Sequence, residues 1–385
     1  MLLTTGLLLA AVPMGVIGDD ETPVRVIVTF KDKVDEDLVK DNGGAIDHKL
    51  AYIPAVVAEL KPSEIKKLEK SDKVASVEED AVASIVDDAD EAGKPSKPPP
   101  TPPAEVTPWG VSQIGANSAW ATSKGSGVKV AVVDTGIDKD HPDLAANIKG
   151  GVNFVASRGP VNSNAWDDDN GHGTHCAGII AGVDNSEGVI GVAPEASLYA
   201  VKVLNKRGSG YYSDIVDGIY WSVDNGMNVI SMSLSGTYDS SDLSTACSYA
   251  RSNGVVVVVA AGNSGNKLDD KPEYPAAYSS VITVAATDSS NLRASWSNYG
   301  SEVDLAAPGV YIYSTYKGGG YATMSGTSMA CPHVTGTVAL VLEDHLSYSP
   351  TQVQTILQST ADDLGTSGWD IYYGYGLVDA DGAVA

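Results

Sequence analysis

The sequence predicts an α/β fold: a parallel sheet flanked by helices, preceded by a small α+β unit of ferredoxin-like order. Three observations carry this reading. From Trp109 onward, short Val-rich runs bounded by turn residues alternate with helical stretches, as strands buried on both faces of a parallel sheet do. Residues 24–86 instead run β-α-β-β-α-β, the split βαβ order. Between the two, residues 87–107 hold an acidic run and then Lys-Pro-Ser-Lys-Pro-Pro-Pro-Thr-Pro-Pro, an extended, exposed spacer open to proteolysis.

The elements follow in order. Val24–Phe30 reads as a strand, and residues 35–40 as a short helix stopped by Gly43 and Gly44. Ala55–Leu60 is a second strand. Pro62 opens a helix over 63–70 with Glu/Lys pairs on its surface, and residues 73–86 supply one or two more strands. This unit carries one histidine, His48, and no cysteine, so no catalytic set is present in it. Beyond the spacer, strands are expected at 128–133, 198–203, 229–232, 255–260 and 281–285, and helices at 175–182, 212–225, 241–253 and 328–343. The domain reading is 22–86, a linker over 87–107, and a large domain over 108–385.

Composition narrows the function. The 385 residues are 43% hydrophobic and 19% charged, an ordinary soluble balance. Lys+Arg 25 against Asp+Glu 49 gives a net charge of −24, which repels nucleic acid and anionic membrane surfaces as partners. Three cysteines are too few for a disulfide framework, and an odd count leaves at least one thiol. Residues 1–17 are apolar and uncharged, with Asp19, Asp20 and Glu21 following, so 1–18 reads as a secretory signal. A short membrane anchor is the rival, since the first basic residue is Arg25.

Three segments carry chemistry. Asp134 follows the 128–133 strand at its carboxyl end, where sites lie in open parallel sheets. Alone it is weak evidence, since an Asp there is more often a helix cap or turn former. The second segment is Asp-Asp-Asp-Asn-Gly171-His172-Gly173-Thr-His175-Cys-Ala-Gly178, whose glycines let backbone approach closely at a helix start. His172 and His175 also form an H-x-x-H, but no third zinc ligand has suitable spacing, which leaves His175 as a core histidine bonded to backbone. The third is Met324-Ser-Gly326-Thr327-Ser328-Met329-Ala330-Cys-Pro332-His333. Ser328 begins an apolar helix, where unpaired N–H groups and the helix dipole favour developing negative charge, although a serine there is often only an N-cap. Ala330 breaks the G-x-S-x-G pattern and counts against an esterase on an α/β-hydrolase fold.

Together the three residues follow the order Asp…His…Ser, and with their surrounding blocks the chain resembles a precursor of the subtilisin family of serine proteases (subtilases). The likeness extends from Trp109 to Ala385. Residues 24–86 resemble the family's inhibitory propeptide, with Val77-Glu-Glu-Asp80 near its end. The resemblance implies a subtilisin-like parallel sheet and a secreted, self-processing zymogen first cut after Val86. Ser328 would be the nucleophile, His172 the general base, Asp134 its orienter and Asn263 an oxyanion donor. It implies peptide binding by strand addition along Gly208, Ser209 and Gly210 on one side and Ser233, Leu234, Ser235 and Gly236 on the other. Tyr211 and Tyr212 would line a distal apolar subsite. Ser235 stands where the family often has glycine. Glu273, just before Tyr274-Pro275, would lie at the base of the primary specificity pocket and favour Lys or Arg, although the loop 266–272 differs in length from the family pattern. Asp168 and Asp169 would add negative potential nearby.

The match also implies structural Ca²⁺ bound by the side chains of Glu105, Asp143 and Asn185 and the carbonyls of Val183, Glu187 and Val189. Glu105 replaces a neutral amide common in the family. Cys176 and Cys331 are expected as reduced, buried neighbours and Cys247 as helix core. A subtilase without activity that serves as a scaffold, and a serine esterase on another fold, are the competing functions.

Overall fold

The computed structural model describes residues 21–85, 103–155, 164–265 and 272–385, so the 1–18 signal, most of the spacer, Val86 and most of the 266–272 loop lie outside the described residues. The chain divides into two compact units. One comprises residues up to Lys49 together with Pro54–Glu79; the other comprises Leu50–Ile53 and Asp80–Ala385.

In the smaller unit, β1 (Val24–Phe30), α1 (Glu36–Asp41), β2 (Ala45–Lys49), β3 (Ala55–Leu60), α2 (Pro62–Leu68) and β4 (Val74–Glu79) follow in order. The four strands form one antiparallel sheet ordered β2-β3-β1-β4, as the split βαβ reading requires. Val26, Val28 and Phe30 of β1 pack with Leu60, Ile65 and Leu68 in a core of its own. Asp35 caps α1 by accepting from Leu38 N at 3.1 Å.

The larger unit begins with β5 (Val82–Ile85), α3 (Trp109–Gln113), α4 (Ala116–Ala119), β6 (Lys129–Asp134), β7 (Ile148–Asn153), α5 (His172–Ala181) and β8 (Ser197–Lys202). It continues with β9 (Ser209–Tyr211), α6 (Tyr212–Asp224), β10 (Val229–Met232), β11 (Leu234–Ser235), α7 (Ser241–Ser252), β12 (Val256–Ala260), β13 (Ile282–Thr287) and β14 (Leu305–Pro308). The hairpin β15 (Ile312–Tyr316) and β16 (Gly320–Met324), then α8 (Thr327–Leu342), α9 (Pro350–Thr360) and α10 (Ala380–Ala383), complete it.

Seven strands form a wholly parallel sheet ordered β14-β13-β12-β10-β6-β8-β7, the α/β architecture expected. The chain leaves β6 for strands on one side and later returns to β10 on the other. Asp134, the last residue of β6, therefore stands at the switch in strand order, where the crevice of such sheets opens. Among the described residues no helix is long and apolar enough to cross a membrane.

Helix α8 runs through the core with every residue buried, and Glu343 ends it. One Glu343 oxygen accepts from the backbone N–H groups of Lys124 and Gly125, each at 2.7 Å, from Ser126 N at 3.1 Å and from Ser123 Oγ at 2.8 Å. Burial alone would raise this carboxyl, but the four donors outweigh it and hold it below the usual value of 4.5. Its stabilisation is therefore complete above the unfolded value and lost as pH falls through the lowered folded one. Glu343→Ala is expected to cost about 1–3 kcal/mol near neutral pH. In thermal melts the gap to wild type should narrow as pH drops below 4.5; a gap independent of pH would show that the carboxylate's charge contributes nothing.

Candidate active site

Asp134 and His172 meet at the carboxyl edge of the sheet, and neither is more than 1% exposed. The His172 Nδ1 lies 2.8 Å from Asp134 Oδ1 and 2.9 Å from Oδ2, and Thr135 N donates to Oδ1 at 2.6 Å. Glycines make this approach possible. A Cβ on Gly173 would collide with Gly136 O, and Gly171, at φ 119°, would drive a Cβ into the Tyr316 ring. The glycine argument made from sequence holds here.

Ser328 is the second residue of α8, and the helix explains how it is held. Pro332 lies four residues on and has no N–H, so the Ser328 carbonyl has no partner in the helix ladder. Instead Ser233 Oγ donates to it at 2.9 Å and Cys176 Sγ approaches at 3.5 Å. Cys176 lies one helical turn beyond His172 on α5, so the thiol ties the histidine's helix to the serine. Ser328 Oγ itself lies 3.3 Å from Ser233 O.

Asn263 follows β12. Its Oδ1 accepts from Thr327 N at 3.0 Å and Thr327 Oγ1 at 2.9 Å, which turns the donor end of the amide away from Thr327. Thr327 was not singled out from the sequence; adjacency to Ser328 was its only signal. His175 is a core histidine as read, with Nε2 3.1 Å from both Ile312 O and Ala322 O, so the H-x-x-H does not converge.

The two segments expected to bind peptide, β9 and β11, carry a strand of the same unit. β5 lies antiparallel between β9 and β11, pairing Ala83 with Gly210, Ser84 with Ser209 and Ser235, and Ile85 with Leu234. Ile85 N donates to Gly208 O at 2.8 Å, and Tyr212 N donates to Ala81 O at 2.9 Å. Asp80 caps α6 by accepting from Ser213 N and Oγ, each at 2.9 Å. Tyr212 is fully buried with its hydroxyl donated to Tyr238 O at 3.0 Å, whereas Tyr211 is exposed. Gly236 and Tyr274 exchange backbone bonds of 2.9 Å, and the Ser235 hydroxyl donates to the Glu273 carboxylate beside Gly262.

In the acidic run before His172, Asp168 turns inward while Asp167 and Asp169 stay exposed. Asp168 accepts from Thr135, Asn170, Gly171 and Thr174, and Asp169 pairs with the buried Lys202 at 2.7 Å. All three cysteines are buried thiols, and burial pushes Cys331 up to about 11 and Cys247 up to about 12.

Glu105, Asp143, Asn185 and the loop 183–189 lie together. Glu105 Oε1 accepts from Asn185 N at 2.8 Å and Ser186 N at 3.1 Å. Asp143 accepts from Asn185 Nδ2 at 3.0 Å and Val189 N at 2.8 Å, and its own carbonyl accepts from Val183 N. Burial pushes Asp143 up to about 6, and the Glu105 charge adds to the rise. Two carboxylates and an amide around one loop are an all-oxygen donor set, which fits a hard cation.

Comparison with known proteins agrees with this geometry. The model of the Subtilase family matches residues 125–376. Subtilisin NAT of Bacillus subtilis subsp. natto is 44% identical over 375 residues, 95% of this chain and 92% of its own. Subtilisin E of Bacillus subtilis (strain 168) gives the same figures. A subtilisin of Bacillus pumilus is 49% identical over 282 residues, 73% of this chain and 99% of its own.

Proposed function

Because the chain belongs to the subtilase family and is a subtilisin-like serine endopeptidase, we propose that Asp134, His172 and Ser328 are its catalytic triad, with Asn263 as oxyanion donor. The observation that carries this reading is the buried Asp134–His172 pair on a helix tied through Cys176 to the Ser328 backbone. Ser328 Oγ attacks the scissile carbonyl while His172 takes its proton and passes it to the leaving amine; water then repeats the sequence on the acyl-enzyme. Asp134 fixes the tautomer and stabilises the imidazolium. The Ser328 N–H at the start of α8 and the Asn263 amide receive the oxyanion. Losing such an amide donor typically costs about 10²–10³ in kcat, a magnitude measured in this family.

The enzyme is made as a secreted zymogen that cuts itself after Val86. Support comes from β5, which already occupies both peptide-binding edges by strand addition immediately before that bond. The 22–86 unit is the inhibitor of the processed enzyme, and residues 1–18 direct export. Structural Ca²⁺ is held by Glu105, Asp143 and Asn185 with the carbonyls of Val183, Glu187 and Val189. A Ca²⁺ bound there would supply positive charge to the buried Asp143 and add to the backbone bonds that join residues 103–106 to the loop. Glu273 gives the primary pocket a preference for Lys or Arg over large apolar side chains. Support for this is its carboxylate, fixed by Ser235 beside Gly262.

Three measurements test this reading. N-terminal sequencing of the wild-type product should begin at Asp87, while Ser328→Ala keeps the bond after Val86 uncut and hydrolyses no peptide; normal processing of Ser328→Ala in isolation would exclude self-cleavage. A chelator should lower the melting temperature of Ser328→Ala, and Asp143→Ala should abolish that response, because ligand bound to the native state stabilises it. An unchanged melting temperature removes the calcium site. On matched peptides, Glu273→Gly should cut the Lys-to-Phe ratio of kcat/KM by about tenfold, close to the low end for one hydrogen bond to a charged group. An unchanged ratio places Glu273 outside the pocket.

A further inference from the structure

We propose that Asp168 is a positioning residue of the active site: its carboxylate locks the helix turn that carries His172 onto the loop that carries Asp134. The proposal rests on the triad reading above and adds a residue to it.

Helix α5 begins at His172, and its N-cap is Gly171, which has no side chain to satisfy the first N–H groups. Asp168 does so from outside the helix. Its Oδ1 accepts from Asn170 N and Gly171 N, each at 2.9 Å, and its Oδ2 accepts from Thr174 N at 3.0 Å. The same two oxygens receive the hydroxyls of Thr135 at 2.9 Å and Thr174 at 2.5 Å.

Those hydroxyls extend the lock in a fixed direction. Thr135 donates to Asp168 and accepts from Gly173 N at 2.9 Å; Thr174 donates to Asp168 and accepts from Asp138 N at 3.0 Å. Each hydroxyl thus joins the segment 134–138 to the first turn of α5 from one side or the other. The pattern needs five donors to converge on a group that only accepts, and an ionised carboxylate is the side chain that does. Thr135 and Thr174 are completely buried, so water does not stand in for a lost partner.

Burial raises Asp168, while the bonds from Thr174, Gly171 and Asn170 oppose that rise. The other charges around this turn are fixed by separate contacts. Asp134 bonds His172, and Lys202 on β8 pairs with Asp169 and donates to Thr135 O. Lys317 on the hairpin donates to Asp169 O, Asp138 accepts from Gly318 N, and Asp167 accepts from Lys139 N. None of them bonds Asp168, so replacing it removes one negative charge near His172 and leaves those contacts in place.

Asp168→Asn keeps the shape but puts an N–H₂ where an acceptor is required. The enzyme matured from the full chain, with active centres counted by a serine-directed inhibitor, is expected to lose about tenfold in kcat, the effect of about 1.4 kcal/mol in the transition state, with KM within about twofold. The acid limb of kcat/KM should move to lower pH, because His172 loses a neighbouring negative charge. Thr135→Val should lower kcat in the same way. Combined with Asp168→Asn it should cost no more than the larger single loss, because both break one lock. Wild-type kcat and an unmoved acid limb in the counted Asp168→Asn centres, even with a lowered melting temperature, overturn the proposal; so does full additivity of the two variants. His172→Ala, measured alongside, separates this from the underlying reading: activity surviving in His172→Ala defeats the triad, whatever Asp168 does.

Discussion

A carboxylate and an imidazole buried together set the terms for the rest of the larger unit. Charge removed from water is costly unless it is paired and hydrogen-bonded. Asp134 meets that cost with Thr135 N and His172 Nδ1. The pair can form only if a helix N-terminus comes within van der Waals reach of a strand's carboxyl end. Gly173 clears the space for it, Gly171 leaves room for the Tyr316 ring alongside, and the parallel sheet directs β6 into it. A side chain at Gly173 would force the α5 turn away from the 134–138 loop and open the carboxylate to water. The short Gly-His-Gly stretch is thus a packing requirement before it is a chemical one.

A second constraint acts through Pro332. A proline inside a helix normally weakens it by leaving a carbonyl unsatisfied. In α8 the carbonyl left over belongs to Ser328, and Ser233 and Cys176 take it up from two other segments. The defect therefore becomes an anchor: it fixes the serine backbone against β11's neighbourhood and against α5 at once. Ser233 acts twice, since its side chain holds the Ser328 carbonyl while its own carbonyl lies 3.3 Å from Ser328 Oγ.

What the sequence made legible divides along the same physical line. Val-rich strands such as β6 and β12 reveal themselves because burial on both faces demands continuous apolar residues. β7, Ile-Lys-Gly-Gly-Val-Asn, carries no such pattern; among the described residues it is an edge strand paired with β8. The β15–β16 hairpin was likewise unread, since its polar Ser314 and Thr315 are buried by bonding to the carbonyls of His175 and Thr174. The segments of Asp134, His172 and Ser328 were legible because a strand end, flanking glycines and a helix start mark them in turn, and their order carries the family resemblance. Thr327 was not, because its partner Asn263 lies far along the chain, and Asp168 was read only as negative potential, since its bond to the distant Thr135 exists only in the fold. Tyr212, expected to line a distal apolar subsite, is fully buried with its hydroxyl on Tyr238 O.

The arrangement of β5 shows why main-chain recognition and side-chain selection separate in this unit. Strand addition between β9 and β11 engages backbone groups, which every residue offers; in the proposed reading the same edges hold any extended segment in one register. Side chains are met one at a time. A Cβ on Gly208 would strike Ile85, so the edge is kept bare where the chain passes closest. Further along, Ser235 and Glu273 are joined by a hydrogen bond across the gap between β11 and the segment before Tyr274. In the proposed reading, the serine that departs from the family pattern and the carboxylate beside it form one device. The hydroxyl donates to the carboxylate and so fixes a negative charge whose free rotation would otherwise carry it toward solvent. Discrimination then rests on one oriented charge, while the strand pairing supplies affinity that is blind to sequence.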